Sequence, residues 1–482
     1  MKRILAVFCI LALTLPLFSC ASTLGSETQT EDMTQTQTEE KLDASKISYP
    51  KGFSVGYARE DVSPEETPIV INGTATATTI NDPVQLTCTA MCDGENVFLL
   101  MSVDLRGVPE KFVQKCKKII TDKVKVPAEN IFLNATHTHH APDNEQFDKN
   151  PVVVRWQKMF YEKLEKAVIT ALLDLAPAEA FVGTGKVEGV TFVRRFLLPD
   201  GSFIWNTIER KDAVHESEAD TELRAIRFDR GNKKDVLLVN YQTHYCSTSA
   251  LEGKISANFI HDFRQSAEKE LDVHFAYHQG AGGNINFNSP IPGKRLYDNY
   301  KKTIPVFMGA VKDAIKGETK AETGKIKVAS STYDAKVWDV DPARAQEARE
   351  ILKISDVNLR DAEMKAKGFT DEREMKGIIS RYSLLYEQNT TTVPFPFTAV
   401  SIGDIGFAAA PYEMFDTNGM EIRAASPYKM TFICAYTNGH MGYIPSALAF
   451  PHGGYEVFTC KYTPGIGEEF AGELVRLLNA CK

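Results

Sequence analysis

Three times along this chain an apolar strand is followed by an amphipathic helix and a second apolar strand that gives way to polar residues. In the first unit, residues 84–92 alternate like a half-buried strand, turn at Asp93-Gly94-Glu95-Asn96 and run back over 97–105, with Asp-Gly as a hairpin signal. Phe112, Val113, Cys116, Ile119 and Ile120 then recur at helical spacing within 109–125, ahead of the β-branched and aromatic run Asn130-Ile-Phe-Leu-Asn134. The second unit is a strand over 235–244, a helix over 259–271 and a strand over 273–277; the third is a hairpin over 398–410, a helix over 413–425 and a strand over 430–436. Strand, crossover helix and neighbouring parallel strand make a βαβ unit, so the pattern predicts an α/β fold of mixed sheets flanked by helices in layers. Between 340 and about 390 the sequence is charged, favours helix and carries no strand signal. It reads as a helical insertion, either a solvated hairpin or a lid.

In α/β sheets, ligands gather beyond the carboxyl ends of strands, where loops vary without disturbing the core. The first unit ends in Asn134-Ala-Thr-His-Thr-His-His-Ala-Pro-Asp143, which holds three of the chain's 10 histidines. Strand alternation would put His137 and His139 on one face and His140 on the other. Such a cluster reads as a metal or catalytic site; the plainer alternative is polar histidines satisfied at a strand end. The second unit delivers His244, and the third leads to Pro411-Tyr-Glu413 and then Thr437-Asn-Gly-His-Met-Gly-Tyr443. Two histidines, a carboxylate and a phenol suit a hydrolytic zinc ion, which takes three or four protein ligands and keeps a place for water. Taken singly, Glu413 also reads as a carboxylate at a helix N-terminus, and Tyr443 as a packed aromatic. The loop His278-Gln-Gly-Ala-Gly-Gly-Asn-Ile-Asn286 lacks the Lys-Ser/Thr of a phosphate-binding loop and reads better as a tight turn near the site. Arg194 and Arg195 stand between apolar residues, an arrangement that points one guanidinium at an anionic or carbonyl oxygen and the other at solvent.

At the amino end, Lys2 and Arg3 precede an apolar segment interrupted by Pro16 and closed by Leu17-Phe18-Ser19-Cys20. It is too short and too punctuated to span a bilayer, and has the layout of an export signal over 1–19. Cysteine at the cleavage point resembles a bacterial lipobox, in which Cys20 becomes the acylated first residue of an envelope lipoprotein. Residues 20–46 are rich in Ser, Thr, Gln and Glu, which predicts a flexible tether that cannot bury a core. The formal charge of −8 becomes more negative once Lys2 and Arg3 are removed, which argues against a nucleic-acid partner. The nine cysteines form no CxxC pair or regular framework, so any disulfide must be long-range.

The histidine segment resembles the Gly-Thr-His-Thr-His-Ser-Gly-Pro signature of the neutral/alkaline, non-lysosomal ceramidases. Further matching pieces keep the same order: the strand into His244, Ile255-Ser-Ala-Asn-Phe259, Asn284-Ile-Asn286, Pro411-Tyr-Glu413, Asn438-Gly-His-Met-Gly-Tyr443 and Tyr455-Glu456. The likeness runs over about 53–458 and implies a catalytic domain over 47–482. It implies a zinc hydrolase of the ceramide amide bond, Zn2+ being held by His137, His244, Glu413 and Tyr443. It implies, further, that His139, Arg194 and Tyr455 line the substrate side. Two departures go with it. Asn286 stands where the family carries a serine, which leaves another amide or an ester as alternative substrate and a non-catalytic ligand-binding lipoprotein as alternative function. The family's carboxyl-terminal β-domain is also not expected in this chain.

Overall fold

The structure, a computed structural model, describes residues 42–73, 75–144, 149–205, 212–244, 251–287 and 297–482. The segment read as an export signal, Cys20 and the expected tether up to residue 41 lie outside the described residues. The first sheet contains β1 (Ser54–Asp61), β2 (Gln85–Cys92) and β3 (Val97–Val103), and α1 (Glu110–Val124) then leads to β4 (Ile131–Ala135), with α2 (Pro151–Leu173) following. Its order is β4-β3-β2-β1 with the short strand Ala176–Pro177 at the far edge, β4 lying parallel to β3 and the other pairs antiparallel. The second sheet repeats this plan with β5 (Glu179–Lys186), β6 (Glu222–Arg230), β7 (Lys233–Tyr241), α3 (Phe259–Leu271) and β8 (His274–Gln279), and α4 (Ile304–Lys316) follows. Here β8 lies parallel to β7.

The third sheet begins with β9 (Ile326–Lys336), after which come α5 (Pro342–Leu352), α6 (Val357–Ala366) and α7 (Glu372–Tyr382). It resumes with β10 (Thr392–Ile402), β11 (Ile405–Ala409), α8 (Asp416–Ala425) and β12 (Met430–Cys434), β12 lying parallel to β11. The chain then forms α9 (Tyr455–Thr459) and α10 (Ile466–Ala480). The fold is thus α/β with mixed sheets and flanking helices, and each of the three large sheets consists of an antiparallel ladder closed by one parallel strand across a helix.

Alternation along the strands builds two kinds of core. From β3, Phe98 and Leu100 enter a cluster shared by all three sheets, with Phe132, Ile226, Val236, Phe407 and Phe432. Leu99 and Met101 face the other way, into the cluster that holds Phe112 of α1 and Phe160 of α2, while Leu237 and Val239 pack with Phe263 of α3 and Phe307 of α4. Buried amides join the sheets where their parallel strands meet. Asn134 donates to the Ala435 carbonyl (2.6 Å) and Thr437 Oγ1 (2.9 Å) and accepts from the Gln279 N–H (2.8 Å). Asn240 bridges His278 and Ile433 in the same way. A buried amide paired on both edges fixes register, because any slip leaves its partners unsatisfied.

The segment at 340–390 forms three helices, capped by Asp341, Asp356 and Asp371, residues whose short carboxylates satisfy free first-turn N–H groups. They share an apolar cluster of their own, including Ala345, Ile351, Phe369, Met375 and Ile378. One face docks on the domain: α7 approaches α9 so closely at Gly377 that a Cβ there would fall 1.9 Å from the Phe458 carbonyl oxygen. Among the described residues Cys88, Cys92, Cys116, Cys434, Cys460 and Cys481 are free and buried, so no long-range bridge joins any of them. Among the same residues no helix is long and apolar enough to cross a membrane.

Candidate metal centre

His137 does not sit on a strand. β4 ends at Ala135, and His137 has a left-handed backbone with φ of 68°, which costs about 1–2 kcal/mol in a residue with a Cβ. Its own hydrogen bonds hold it there: its N–H donates to the Leu105 carbonyl (2.9 Å), and Nδ1 lies 2.5 Å from the Arg106 carbonyl. Alternation on a strand therefore does not explain the cluster. His137 and His139 do meet, with 3.3 Å between their Nε2 atoms, but through this turn. Binding Nδ1–H to a carbonyl leaves the Nε2 lone pair of His137 facing inward, where it lies 3.4 Å from His244 Nε2. His244 is oriented alike, its Nδ1 lying 3.2 Å from the Gly282 carbonyl. Backbone carbonyls that fix an imidazole tautomer are the usual outer partners of metal-binding histidines.

Glu413 was expected at the start of a helix, but α8 begins only at Asp416. Instead Glu413 pairs in a short parallel ladder with Tyr443, so the two enter the site side by side. Its Oε2 lies 3.5 Å from His137 Nε2 and accepts from the Tyr436 hydroxyl (3.4 Å). Tyr443 stacks beside His244 with ring centroids 6.4 Å apart. Four donors around an ion at 2.0–2.2 Å stand about 3.3–3.6 Å from one another if tetrahedral. From His137 Nε2, the separations to His139, His244 and Glu413 are 3.3, 3.4 and 3.5 Å, within that range, while His244 and Glu413 approach to 4.0 Å through His244 Nδ1. The donors of His137, His139 and His244 all lie within 4.8 Å of one another, so this buried group can hold a metal ion.

The electrostatics suit a cation. Burial first, and neighbouring imidazoles second, hold His137 well below the usual histidine range; burial and then Arg194 do the same for His244. His139 is pushed down to about 3 by burial and then by Arg106. All three are thus neutral near pH 7, the form that binds metals. Burial and the Glu413 charge push the Tyr443 hydroxyl up, a shift that a bound cation opposes.

No family model and no curated protein matches the sequence. Solved structures do. A ceramidase complexed with C2 superposes with a TM-score of 0.66 at 14% identity, over 89% of this chain and 75% of that one. Neutral ceramidase from Pseudomonas aeruginosa gives 0.65 at 15% identity, over 89% and 74%. The chain has a ceramidase fold.

Within this ceramidase fold the glycine loop packs tightly against the segments that bear the site residues. A Cβ on Gly282 would fall 2.3 Å from the Thr243 carbonyl oxygen, and one on Gly283 would fall 2.6 Å from that of Glu413. Bare backbone is needed at both positions because the loop presses against the segments that carry His244 and Glu413. We expect Gly283→Ala to displace Glu413 and weaken metal affinity about 10–100-fold, the range seen when outer partners are lost. Competition with a chromogenic chelator measures it. Asn286 is buried, its backbone paired with Phe192.

Around the centre the arginines depart from expectation, since neither faces solvent. Arg194 donates through Nε to Glu456 Oε1 (2.7 Å) and through Nη2 to the Tyr443 hydroxyl (3.2 Å). Arg195 is fully buried, bonded to Glu216 (2.6 Å), Glu456 (3.0 Å) and the carbonyls of Ala449 and Gly453. Residue 194 falls between two short strands, Phe192–Val193 and Arg195–Leu197, so simple alternation fails there. Tyr455 meets Tyr443 edge to face at 5.3 Å and lies under the Arg373 guanidinium at 5.3 Å, which brings α7 to the site. His140 is buried, and its carbonyl accepts from the Ser256 N–H (2.8 Å), bracing the histidine loop. Three contributors were not singled out from the sequence: Tyr436, His440 and Glu456. Their only signal was membership of the segments around Tyr443 and Tyr455.

Proposed function

We propose that this chain is a metal-dependent hydrolase of N-acyl amide bonds, with ceramide or a related N-acylated molecule as substrate and zinc as the ion. The observation that carries this is the convergence of imidazole and carboxylate donors on His137 Nε2, with His244 Nε2 at 3.4 Å and Glu413 Oε2 at 3.5 Å, inside a ceramidase fold. In this reading His137, His244, Glu413 and Tyr443 hold the metal. When bound, zinc supplies Lewis acidity that polarises an acyl carbonyl and makes water reactive near neutral pH.

The protein's own groups do the rest. His139 faces the centre through Nε2 and carries the proton to the leaving amine as general acid and base. Arg194, held by Glu456, sets a fixed positive charge beside Tyr443 to steady the oxygen that gains charge. Tyr455 closes the substrate side above Tyr443. Asn286 supports a second reading at the level of substrate. A carboxamide at that position offers no hydroxyl, which favours a different amide or an ester in the same site.

Fatty acid release from short-chain ceramide, compared with N-acyl amino acids and acyl esters, tests both readings on zinc-loaded protein. Release fastest from ceramide, abolished by chelation and restored by zinc, is expected. If ceramide stays intact while another acyl compound is cleaved, the substrate assignment fails and the metal hydrolase stands.

The same proposal places the enzyme on the bacterial envelope through acyl chains on Cys20, where a membrane-resident substrate would reach it. Stable anchoring needs more than one chain. Cys20→Ala is expected to move the protein from the membrane to the soluble fraction on cell fractionation. An unchanged distribution would remove the anchor from the proposal.

A further inference from the structure

The two oxygens of Glu413 have different surroundings. Oε2 faces His137 and accepts from Tyr436, whereas Oε1 lies 3.2 Å from His440 Nε2. The His440 side chain is only 9% exposed, and its ring fits because residue 107 is glycine. A Cβ on Gly107 would fall 2.6 Å from His440 Cγ. The loop that carries His440 is fastened on both sides. Asn438 accepts from the Leu133 N–H (3.0 Å) and donates to the Ile131 carbonyl (2.9 Å), tying it to β4. The Met441 N–H donates to the Pro411 carbonyl (2.7 Å), and the Gly442 carbonyl accepts from the Glu413 N–H (2.9 Å). His440 is thus fixed with respect both to the strand that leads to His137 and to the segment that bears Glu413.

We infer that His440 is a positioning residue: its Nε2–H donates to Glu413 Oε1 and so presents Glu413 to the metal centre through Oε2 alone. The inference rests on the proposed metal-binding role of His137, His244 and Glu413. Its consequence is chemical. A carboxylate free to turn can bind an ion through both oxygens, and a hydrolytic centre must keep a position open for the reacting groups. Engaging Oε1 elsewhere protects that position.

The test uses the full chain and its His440→Ala and His440→Gln variants, loaded with Zn2+ or with Co2+. His440→Ala is expected to bind zinc about 10–100-fold more weakly, as when other outer partners of metal ligands are lost. Its cobalt form should show the weaker visible bands of a higher coordination number. His440→Gln, whose amide can donate to the same oxygen, should recover part of the affinity and the wild-type spectrum. Wild-type affinity and spectrum in His440→Ala would overturn the inference, and so would equal losses in Ala and Gln variants accompanied by a lowered unfolding midpoint. If the wild-type chain binds neither ion, the metal reading itself fails, and the inference falls with it.

Discussion

If the proposed centre holds zinc, Glu413→Gln, His137→Ala and His244→Ala are each expected to purify without the one equivalent of metal expected in the wild type, and to lose turnover by about 10³-fold or more, some 4 kcal/mol in the barrier. The reason is geometric. Each side chain supplies one inward-facing donor, those of His244 and Glu413 standing 3.4 and 3.5 Å from His137 Nε2, with their outer atoms already committed to the Arg106 and Gly282 carbonyls and to His440. Folding should survive, since the imidazoles are held neutral by burial and losing them strands no charge. Elemental analysis by mass spectrometry, with circular dichroism as the folding control, reads the outcome. Equal metal content in wild type and all three variants would sink the centre. His139→Ala separates two ligand sets: outside the coordination sphere it keeps the metal and loses rate by about 10²–10⁴-fold, the usual worth of general acid–base help. Loss of metal in that variant would assign the ion to His137, His139 and His244.

What the sequence shows of this molecule follows the range of each interaction. Helical and strand periodicity is local, so the helix Phe259–Leu271 appears over its observed span, and the strand into the histidines is recognisable. The three strand-helix-strand units likewise become three sheets with parallel closing strands. Their convergence is not local. It depends on Asn134 meeting Ala435 and Asn240 meeting Ile433, and an isolated asparagine in an apolar run gives no hint of its partner. The histidine cluster was conspicuous by composition, yet its geometry arises from a left-handed residue that strand alternation does not foresee. Arg194 and Arg195 misled for a related reason, since alternation assumes an unbroken strand. Both arginines turn inward onto a carboxylate from α9 that lies between them, and Arg195 also onto Glu216.

That carboxylate supports the last prediction. Glu456 is completely buried and bonded to Arg194 and Arg195, which are themselves buried. Removing one member of such a group leaves uncompensated charge in a dry interior, at a cost of about 3–5 kcal/mol. Glu456→Gln keeps the shape and removes only the charge, so its loss of stability in urea denaturation should fall in that range. Burial opposes ionisation of Glu456, but the two guanidinium groups beside it prevail and hold its carboxyl below the usual carboxylate range. A lowered folded-state value means that the pair stabilises the fold above the unfolded carboxyl value of 4.5 and that this contribution fades as acid protonates Glu456. The gap between wild type and Glu456→Gln should therefore be full near neutrality and narrow below that value. An exposed pair such as Glu66 with Arg155 gives the contrast, and Glu66→Gln should leave the midpoint unchanged. A gap for Glu456→Gln that stays constant down to strong acid would mean that its charge contributes nothing. The reach of this one carboxylate extends to the proposed chemistry, because the same guanidinium that Glu456 holds through Nε donates to the Tyr443 hydroxyl through Nη2.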